Sequence, residues 1–355
     1  MKVFISTVPF AAENKKPLEI LEAAGVEYLI NPTGRKLKES EIPAYVGDVQ
    51  AIIAGTEPIT EEVLKEAKNL QLIARVGIGL DSVDLCSATR RNIAVSYTPD
   101  APSPAVAELT IGLMLSCLRH VHLSNEDMHR GEWHRYFGRR LGECVDGIIG
   151  MGRIGSRVVS HLESFKCRKI LLNDLMKATT LDLPANTEWY EKEKIYREAD
   201  IICLHVPLTL DTRNLVTKRE LLLMKKNAIV INTTRGGIVN EDDLSSVLGD
   251  EDIGAAAIDT FENEPYSGSL SSMERCLLTS HMGSMSLDCR YQMEVEGAQE
   301  VVRFFSGEPL AQPVPAQNMK IKFLPVGVEC KEAKYFQIFS LRHLRFFLAP
   351  EFHSR

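Results

Sequence analysis

The sequence lacks the features that mark membrane, secreted and nucleic-acid-binding proteins. Its longest apolar stretch, Thr110 to Leu118, is far shorter than the ~20 residues that a membrane helix needs. The N-terminus shows no small-residue cleavage pattern, and the eight cysteines include no C-x-x-C pair, so we expect a reduced, cytoplasmic protein. A net charge of -7 argues against a nucleic-acid footprint. We therefore expect neither nucleic acid nor a membrane among its partners.

The 355 residues suffice for about two domains, and short apolar runs alternate with helical patterns along the chain. Strand-like runs such as "KVFIS", "VQAIIAG", "LQLIARV" and "IAVSYT" fill a first block that ends near Tyr97. The Pro-rich segment from Thr98 to Ala105 predicts a boundary and the start of a helix. A second block has the runs "CVDGIIG", "KILLND", "DIICLHV", "AIVINT", "GAAAID" and "CLLTS", and a long helical pattern follows His281. Together they predict an α/β protein with parallel sheets.

The C-terminal part of the sequence has a different character. The stretch "GEPLAQPVPAQ" has the composition of a Pro-rich linker. Residues 318–355 follow it, rich in Phe and basic residues, and they lack clear Gly or Pro punctuation. They form a C-terminal extension of unknown role, for which three interpretations stay open: a packed appendage, a partner-binding segment, or a loosely ordered extension, which is the simplest.

A glycine pattern in the second block predicts a dinucleotide site. Gly150, Gly152 and Gly155 form G-x-G-x-x-G between an apolar strand and a helix. The first glycine permits a tight turn, the second lets the backbone approach a pyrophosphate, and the third allows the helix to pack on the strand. The phosphates would lie at the helix N-terminus, where unpaired N–H groups and the helix dipole favour anions. Alone, such a pattern also occurs in ordinary turns, but here strand and helix flank it.

An acidic residue completes this fingerprint. Asp174 ends the strand-like run "KILLND", about 20 residues after the last glycine. A carboxylate there bonds the ribose diol and repels a 2′-phosphate, so we expect NAD rather than NADP as the cofactor. Lys177 is the one nearby feature that opposes this preference.

Chemistry-bearing residues stand at the ends of later strands. Arg235 follows "AIVINT", Asp259 ends "GAAAID" with Glu264 shortly after, and His281 follows "CLLTS". In an open parallel sheet these ends face the crevice where ligands bind. Hydride exchange with a 2-keto acid needs a fixed cation for the carboxylate and carbonyl, a proton donor, and a carboxylate that orients the donor. Arg235, His281 and Glu264 fit these roles, although each alone is an ordinary strand-end residue.

At these residues the chain resembles the D-isomer-specific 2-hydroxyacid dehydrogenases, most of all their D-3-phosphoglycerate dehydrogenase branch. The resemblance covers about residues 50 to 310 and rests on "ARVGIGLDSVDL", "AVAELTIGLML", "GMGRIG", "HVPLT", "NTTRGGIVNEDDL", "AIDTFENEP" and "SHMGS", in family order. It implies two Rossmann-like domains with parallel sheets. The NAD-binding domain, residues 98–285, would be inserted into a flavodoxin-like substrate domain made of residues 1–97 and 286–317.

The resemblance also implies residue roles. The family's arginine binds the substrate carboxylate and carbonyl, its histidine donates the proton and its glutamate supports the histidine; these correspond to Arg235, His281 and Glu264. The positions that correspond to the family's cofactor-lining residues, beside the three glycines and Asp174, are Arg153, Ile154, Val206, Pro207, Thr233, Thr234, Asp259 and Gly283, with Asp259 on the nicotinamide carboxamide. The substrate loops correspond to Gly55, Thr56, Gly77 and Ile78. No metal is implied, and the helix from Pro102 resembles the arm that joins the family's homodimers through the cofactor domain.

The substrate is the least determined feature. In phosphoglycerate-specific relatives the loop matching residues 54–60 often carries a basic residue, whereas this chain has Gly55, Thr56 and Glu57, which argues against a phosphate. We expect an NAD-dependent oxidoreductase acting on a small D-2-hydroxy or 2-keto acid, with 3-phosphoglycerate as one candidate. The alternatives are a glyoxylate/hydroxypyruvate-type reductase and a non-enzymatic NAD(H)-sensing protein that resembles the family's corepressors.

Overall fold

The computed structural model describes residues 1–177 and 182–315, which form two α/β units, each built on a parallel sheet. The first sheet has five strands in the order β2-β1-β3-β4-β5. Its strands are β1 (Lys2–Ile5), β2 (Glu27–Ile30), β3 (Ala51–Ala54), β4 (Leu72–Arg75) and β5 (Ala94–Tyr97). The helices of this part are α1 (Lys16–Ala23), α2 (Pro43–Val46), α3 (Glu61–Glu66) and α4 (Leu85–Arg90).

Burial explains which strands this sheet places at its centre. Every residue of β3 and β4 is buried, as expected for apolar strands covered on both faces. By contrast β2, at the edge, alternates exposed and half-buried residues. Side chains cap the two helices that follow the central loops: Thr60 accepts the Val63 N–H, and Asp84 accepts the Ser87 N–H.

The second sheet has seven strands in the order β12-β11-β10-β9-β6-β7-β8. Its strands are β6 (Val145–Ile149), β7 (Lys169–Asn173), β8 (Thr187–Trp189), β9 (Ile201–Leu204), β10 (Ile229–Asn232), β11 (Ala255–Ile258) and β12 (Cys276–Leu278). The helices are α5 (Pro102–Arg119), α6 (Val121–His129), α7 (Arg153–Phe165), α8 (Lys192–Glu198), α9 (Lys218–Leu221) and α10 (Glu241–Gly249). This order reverses beside β6, so the switch point of the sheet lies between β6 and β9, where open α/β sheets bind dinucleotides.

The last helix, α11 (Leu287–Phe305), returns to the first sheet. Its buried face packs against α1, β3 and β4, and a Cβ atom at Gly297 would lie 3.2 Å from a methyl carbon of Val76. The chain then runs beside β5, where the Val314 N–H donates to the Val95 carbonyl at 2.9 Å. The cofactor-type sheet is therefore inserted in the chain between two segments of the first unit.

The expected fold class is confirmed: both sheets are parallel, and their strand orders are the flavodoxin-like and Rossmann orders. The residue limits of the two domains stay predictions. The C-terminal extension, residues 318–355, lies outside the described residues, as do residues 316 and 317. Within the described ranges no single helix is long and apolar enough to cross a membrane. The bent pair of α5 and α6 together has the length and apolar composition of a membrane span, and only those two features point that way.

Candidate active site

The glycine loop between β6 and α7 has the shape that a pyrophosphate requires. Gly150 has φ +101°, and a Cβ atom there would lie 2.4 Å from the His205 carbonyl oxygen. A Cβ atom at Gly155 would lie 1.9 Å from the Gly150 carbonyl oxygen, so α7 begins against the loop. Gly152 is the N-cap of α7 without a side-chain cap, and a Cβ atom there would meet nothing within 4 Å. The open helix N-terminus fits the phosphates of NAD.

Asp174 lies at the adjacent strand end, directly after β7. Its Oδ2 accepts the Met151 N–H at 2.6 Å, so the carboxylate faces the glycine loop, where the ribose diol of a bound dinucleotide would be expected. Arg153 begins α7, and its Nε donates to Asp100 Oδ1 at 2.6 Å, which links the helix to the Pro-rich segment after β5. Ile154 is the second residue of the same helix.

The remaining cofactor-lining candidates follow β9 and β10. Val206 and Pro207 follow β9 after His205, and a Cβ atom at Gly150 would lie 3.0 Å from a methyl carbon of Val206. Thr233 is buried, and its hydroxyl lies 3.0 Å from that of Thr110 on α5. The hydroxyl of Thr234 donates to Asn232 Oδ1 at 2.7 Å, which tightens the turn after β10.

Arg235 lies at the end of that turn, where the two units meet. Its Nε donates to Asp81 Oδ1 at 2.8 Å, and its Nη1 donates to the Thr234 carbonyl at 2.6 Å. Burial alone would lower the pKa of Arg235, but the charge and the hydrogen bond of Asp81 outweigh burial and raise it. The guanidinium is therefore held as a fixed cation that faces the loop after β4.

His281 and Glu264 form the second charged pair. His281 Nδ1 lies 3.0 Å and 3.1 Å from the two carboxylate oxygens of Glu264. Because a carboxylate accepts, the proton is assigned to Nδ1, which leaves Nε2 for exchange with a ligand. Burial alone would raise the pKa of Glu264; the hydrogen bond and charge of His281 outweigh it, so the pKa is lowered and the carboxylate stays ionised.

Asp259 holds the turn that carries the histidine. Its fully buried carboxylate accepts the Met282 N–H at 2.7 Å, the Gly283 N–H at 2.9 Å and the Thr279 hydroxyl at 2.6 Å. His281 itself has φ +54°, a left-handed conformation that costs energy for a residue with a side chain. The three hydrogen bonds give Asp259 a positioning role that its sequence motif did not show, and its expected contact with nicotinamide stays a prediction.

The substrate loops of the first unit lie opposite these residues. Glu57 is 2% exposed, and its Oε1 accepts the Gly55 N–H at 2.7 Å and the Ser6 hydroxyl. Its carboxylate therefore faces inward, with Gly55 and Thr56 in the turn that it closes.

The second substrate loop follows β4. Gly77 has φ +139°, and its N–H donates to the Thr98 hydroxyl at 2.7 Å. This N–H is already engaged, so Ile78 and the residues after it are better placed to offer N–H groups to a substrate.

Sequence reasoning missed Arg75, the last residue of β4. It is 4% exposed, Nη1 donates to the neighbouring Val76 carbonyl, and within residues 1–177 and 182–315 its Nε has no partner and no carboxylate forms an ion pair with it. Burial, followed by the positive charge of Arg235, lowers the pKa of Arg75 to about 10. An arginine that ends an otherwise apolar, buried strand is the signal that could have revealed it.

Comparison with known proteins places this geometry in a family. Residues 111–283 match the family model described as "D-isomer specific 2-hydroxyacid dehydrogenase, NAD binding domain". A hydroxypyruvate reductase of Thermotoga maritima is 32% identical over 278 residues, which cover 76% of this chain and 90% of that protein. The chain belongs to the D-isomer-specific 2-hydroxyacid dehydrogenase family. The expected family and its NAD cofactor are thereby confirmed.

Two further relatives bear on substrate and fold. A D-3-phosphoglycerate dehydrogenase of Methanocaldococcus jannaschii is 34% identical over 306 residues, which cover 85% of this chain. The chain spans only 58% of the length of that relative. The crystal structure of the TT0316 protein from Thermus thermophilus superimposes with a TM-score of 0.81 at 28% identity, covering 89% of this chain and all of that one. This family of NAD-dependent oxidoreductases thus includes members that differ in the 2-hydroxy or 2-keto acid they are named for.

Proposed function

We propose that the protein interconverts a D-2-hydroxy acid and its 2-keto acid with NAD, and that Arg235, His281 and Glu264 are the residues that do so. The observation that carries the proposal is the presence of two charged pairs, Arg235–Asp81 and His281–Glu264, of which Arg235 and His281 follow carboxyl-terminal strand ends of the sheet that also carries the glycine loop. A bound cofactor would supply the hydride as NADH in the reducing direction and accept it as NAD⁺ in the oxidising direction. The protein residues bind the acid, orient it and move one proton.

Each side chain has a distinct task in this proposal. The guanidinium of Arg235 binds the substrate carboxylate and polarises the keto oxygen, since a planar fork can contact both. His281 donates a proton from Nε2 to the oxygen as negative charge develops there during reduction, and it accepts the proton in the reverse direction. Glu264 stabilises the protonated imidazole and fixes its orientation. Asp259 supports the turn that carries His281.

Arg75 supports a substrate with a second anionic group. A buried guanidinium without a carboxylate partner is costly unless a ligand neutralises it. The charges of Arg235, Asp81 and Glu57 all act on Arg75, so it lies beside the substrate loops. The sequence argument against a phosphate was that residues 54–60 include Glu57 and no basic residue. Because the carboxylate of Glu57 faces inward and accepts the Gly55 N–H, it opposes a phosphate less than an exposed carboxylate would. We therefore favour a phosphorylated acid of the 3-phosphoglycerate class, which agrees with the name of the Methanocaldococcus relative.

The second candidate is reduction of glyoxylate or hydroxypyruvate. The loop at residues 54–60 offers no basic side chain. The Thermotoga hydroxypyruvate reductase is covered over 90% of its length, against 58% for the phosphoglycerate dehydrogenase. A non-enzymatic NAD(H) sensor is the third alternative, because the intact charged pairs by themselves do not distinguish a sensor from an enzyme.

A scan of NADH oxidation with glyoxylate, pyruvate, hydroxypyruvate, 2-oxoglutarate and 3-phosphohydroxypyruvate tests these possibilities. We expect 3-phosphohydroxypyruvate to have the highest kcat/KM. Arg75→Gln should lower kcat/KM for that substrate by about 10–100-fold and leave glyoxylate reduction nearly unchanged, since glyoxylate has no second anion. An equal loss for both substrates would contradict the role of Arg75. Tight NADH binding without turnover of any acid would favour the sensor.

We also propose that the protein is a homodimer joined through the cofactor unit. Trp133 is 80% exposed and Phe137 fully exposed on the segment after α6, which is unusual for aromatic side chains. Next to α6, the C-terminal half of α5 borders a cavity of about 490 Å³ lined by Leu115, Arg119 and Val121. A second copy of the chain is the occupant expected from the family resemblance. Light scattering should give twice the monomer mass, and Phe137→Ser should shift the protein toward monomer.

A further inference from the structure

One ion pair joins the two units at the centre of the proposed site. Arg235 follows β10 of the cofactor sheet, whereas Asp81 follows β4 of the other sheet. Their Nε and Oδ1 atoms are 2.8 Å apart, and the side chains are only 18% and 16% exposed. With Nη1 also donating to the Thr234 carbonyl, two sides of the guanidinium are fixed by the protein. Its remaining N–H groups are the ones available to a substrate.

Gly79 provides the space in which the guanidinium lies. A Cβ atom at this position would fall 1.4 Å from Arg235 Nη2 and 2.4 Å from its Cζ. The same Cβ atom would lie 2.7 Å from Asp81 Oδ1. The Gly79 backbone is not in the left-handed region, so the constraint on this residue comes from space and not from its φ angle. Any side chain at residue 79 would therefore wedge between the arginine and its carboxylate partner.

We propose that Asp81 and Gly79 are positioning residues that set the location of the Arg235 guanidinium from the opposite unit. Asp81 holds the guanidinium, and Gly79 leaves the volume that it occupies; we call the two residues the arginine clamp. The clamp rests on the proposed function, because it assigns substrate contact to Arg235. Its consequence is that the substrate-binding cation is correctly placed only while the loop after β4 lies against the turn after β10.

The sign of one kinetic change separates positioning from simple electrostatics. Asp81→Asn removes a negative charge beside the site of an anionic substrate. If charge alone mattered, KM for the keto acid would fall. If Asp81 positions Arg235, kcat should fall and KM should rise, because the charge-assisted hydrogen bond becomes a weaker neutral one. We expect a loss in kcat/KM of about tenfold for Asp81→Asn and a larger loss for Asp81→Ala, with NADH affinity within about twofold of the original.

Asp84→Asn is the matched control for this substitution. Asp84 lies in the same loop and caps α4 by accepting the Ser87 N–H at 2.8 Å, a bond that asparagine can also accept. The control should keep the original kinetics. Unchanged kcat with an unchanged or lower KM in Asp81→Asn would overturn the clamp.

Gly79→Ala perturbs the clamp from the other side without changing any charge. The clash falls on the far end of a flexible side chain, so the chain should fold while the guanidinium moves. We expect kcat/KM for the keto acid to fall by about tenfold or more, again with NADH affinity retained. Gly47→Ala is the control, since a Cβ atom at Gly47 would meet nothing within 4 Å. Full activity of Gly79→Ala would show that the guanidinium position is not set here.

Chemical modification tests the clamp even if no keto acid is turned over. Phenylglyoxal reacts with accessible guanidinium groups, and peptide mapping reports the rate at Arg235 alone. We expect Arg235 to react faster in Asp81→Asn and in Gly79→Ala than in the original protein, because its ion pair is lost. Equal rates would contradict the clamp. If the original protein turns over no keto acid but the modification rates at Arg235 differ as expected, the proposed function is contradicted and the clamp is not.

Discussion

Asp146, in the middle of the cofactor sheet, should make the stability of the protein depend on pH. The residue lies in β6 and is fully buried, and within the described ranges neither carboxyl oxygen has a hydrogen-bond partner. Burial raises the pKa of this carboxyl from 3.8 to about 7. The nearby Cys167 thiol offsets part of this rise, although its contact with the carboxyl falls outside hydrogen-bonding geometry. Asp146 is therefore a carboxyl group that folding keeps mostly protonated below about pH 7.

The magnitude follows from the two pKa values. A tenfold change in a protonation equilibrium corresponds to about 1.4 kcal/mol, so a rise from 3.8 to about 7 corresponds to about 4 kcal/mol. Because the folded-state pKa is raised, the contribution is fully present below pH 3.8 and is lost as the pH rises through about 7. About 2–3 kcal/mol of this loss should fall between pH 5 and pH 8.

Asp146→Asn removes the titration while keeping the shape of the side chain. The free energy of unfolding is measured by urea titration at pH 5 and at pH 8. We expect its decrease between these two pH values to be about 2–3 kcal/mol smaller in the variant than in the original protein. The two proteins are compared by how their free energy of unfolding changes with pH and not by its absolute value. A buried amide without hydrogen-bond partners lowers stability by about 1–3 kcal/mol at every pH, which shifts the whole curve but not its slope. Asp252→Asn, at an exposed carboxylate, should keep the original slope. Parallel pH profiles for Asp146→Asn and the original protein would refute the reasoning.

Three further predictions concern the site. His281→Gln should retain NADH binding, measured by fluorescence titration, and lose about 10²–10⁴-fold in kcat; near-normal turnover would exclude His281 as the proton donor. Glu264→Gln should lose less in kcat than His281→Gln, because the imidazole stays but loses the ionised carboxylate that orients it; a kcat equal to that of the original protein would argue against that support. The original protein should prefer NADH over NADPH by at least about tenfold in kcat/KM, and Asp174→Ala should narrow the preference; equal use of both cofactors by the original protein would contradict the role of Asp174.

The sequence predicted the buried parts of the fold better than its edges. The strands that it indicated are apolar runs, most of them buried, and the structure contains all of them, including β5 and the partly buried β12 at two sheet edges. It missed β2 and β8, which lie at the outer ends of the two sheets and have partly exposed residues. A short edge strand needs no continuous apolar run, because only one side of it pairs with a neighbouring strand. Its existence depends on that neighbour, which a local pattern does not reveal.

The same distinction applies to the site. Arg235, Glu264 and His281 were found because each follows a strand in a recognisable motif. The structure adds the partners that hold them, among them Asp81, which is 154 residues away from Arg235 in sequence. The pairing of an arginine in one unit with an aspartate in the other depends on how the units meet, so no spacing in the sequence encodes it. The role of Asp259 in the histidine turn was missed for a related reason, since the motif suggested a ligand contact instead.

The balance of charge at the cleft bears on how an acidic protein could bind the proposed acidic substrate. The chain has a net charge of -7, which by itself would repel an anionic substrate. At the cleft, however, Arg235 is paired with Asp81 and His281 with Glu264, whereas Arg75 has no carboxylate within ion-pair distance among the described residues. The paired groups are held in place with little net charge, and the guanidinium of Arg75 adds a positive charge that the carboxylate of Glu57 offsets only from a distance. A ligand with two anionic groups would contact Arg235 through one and neutralise Arg75 with the other, which a monoanion could not do at once.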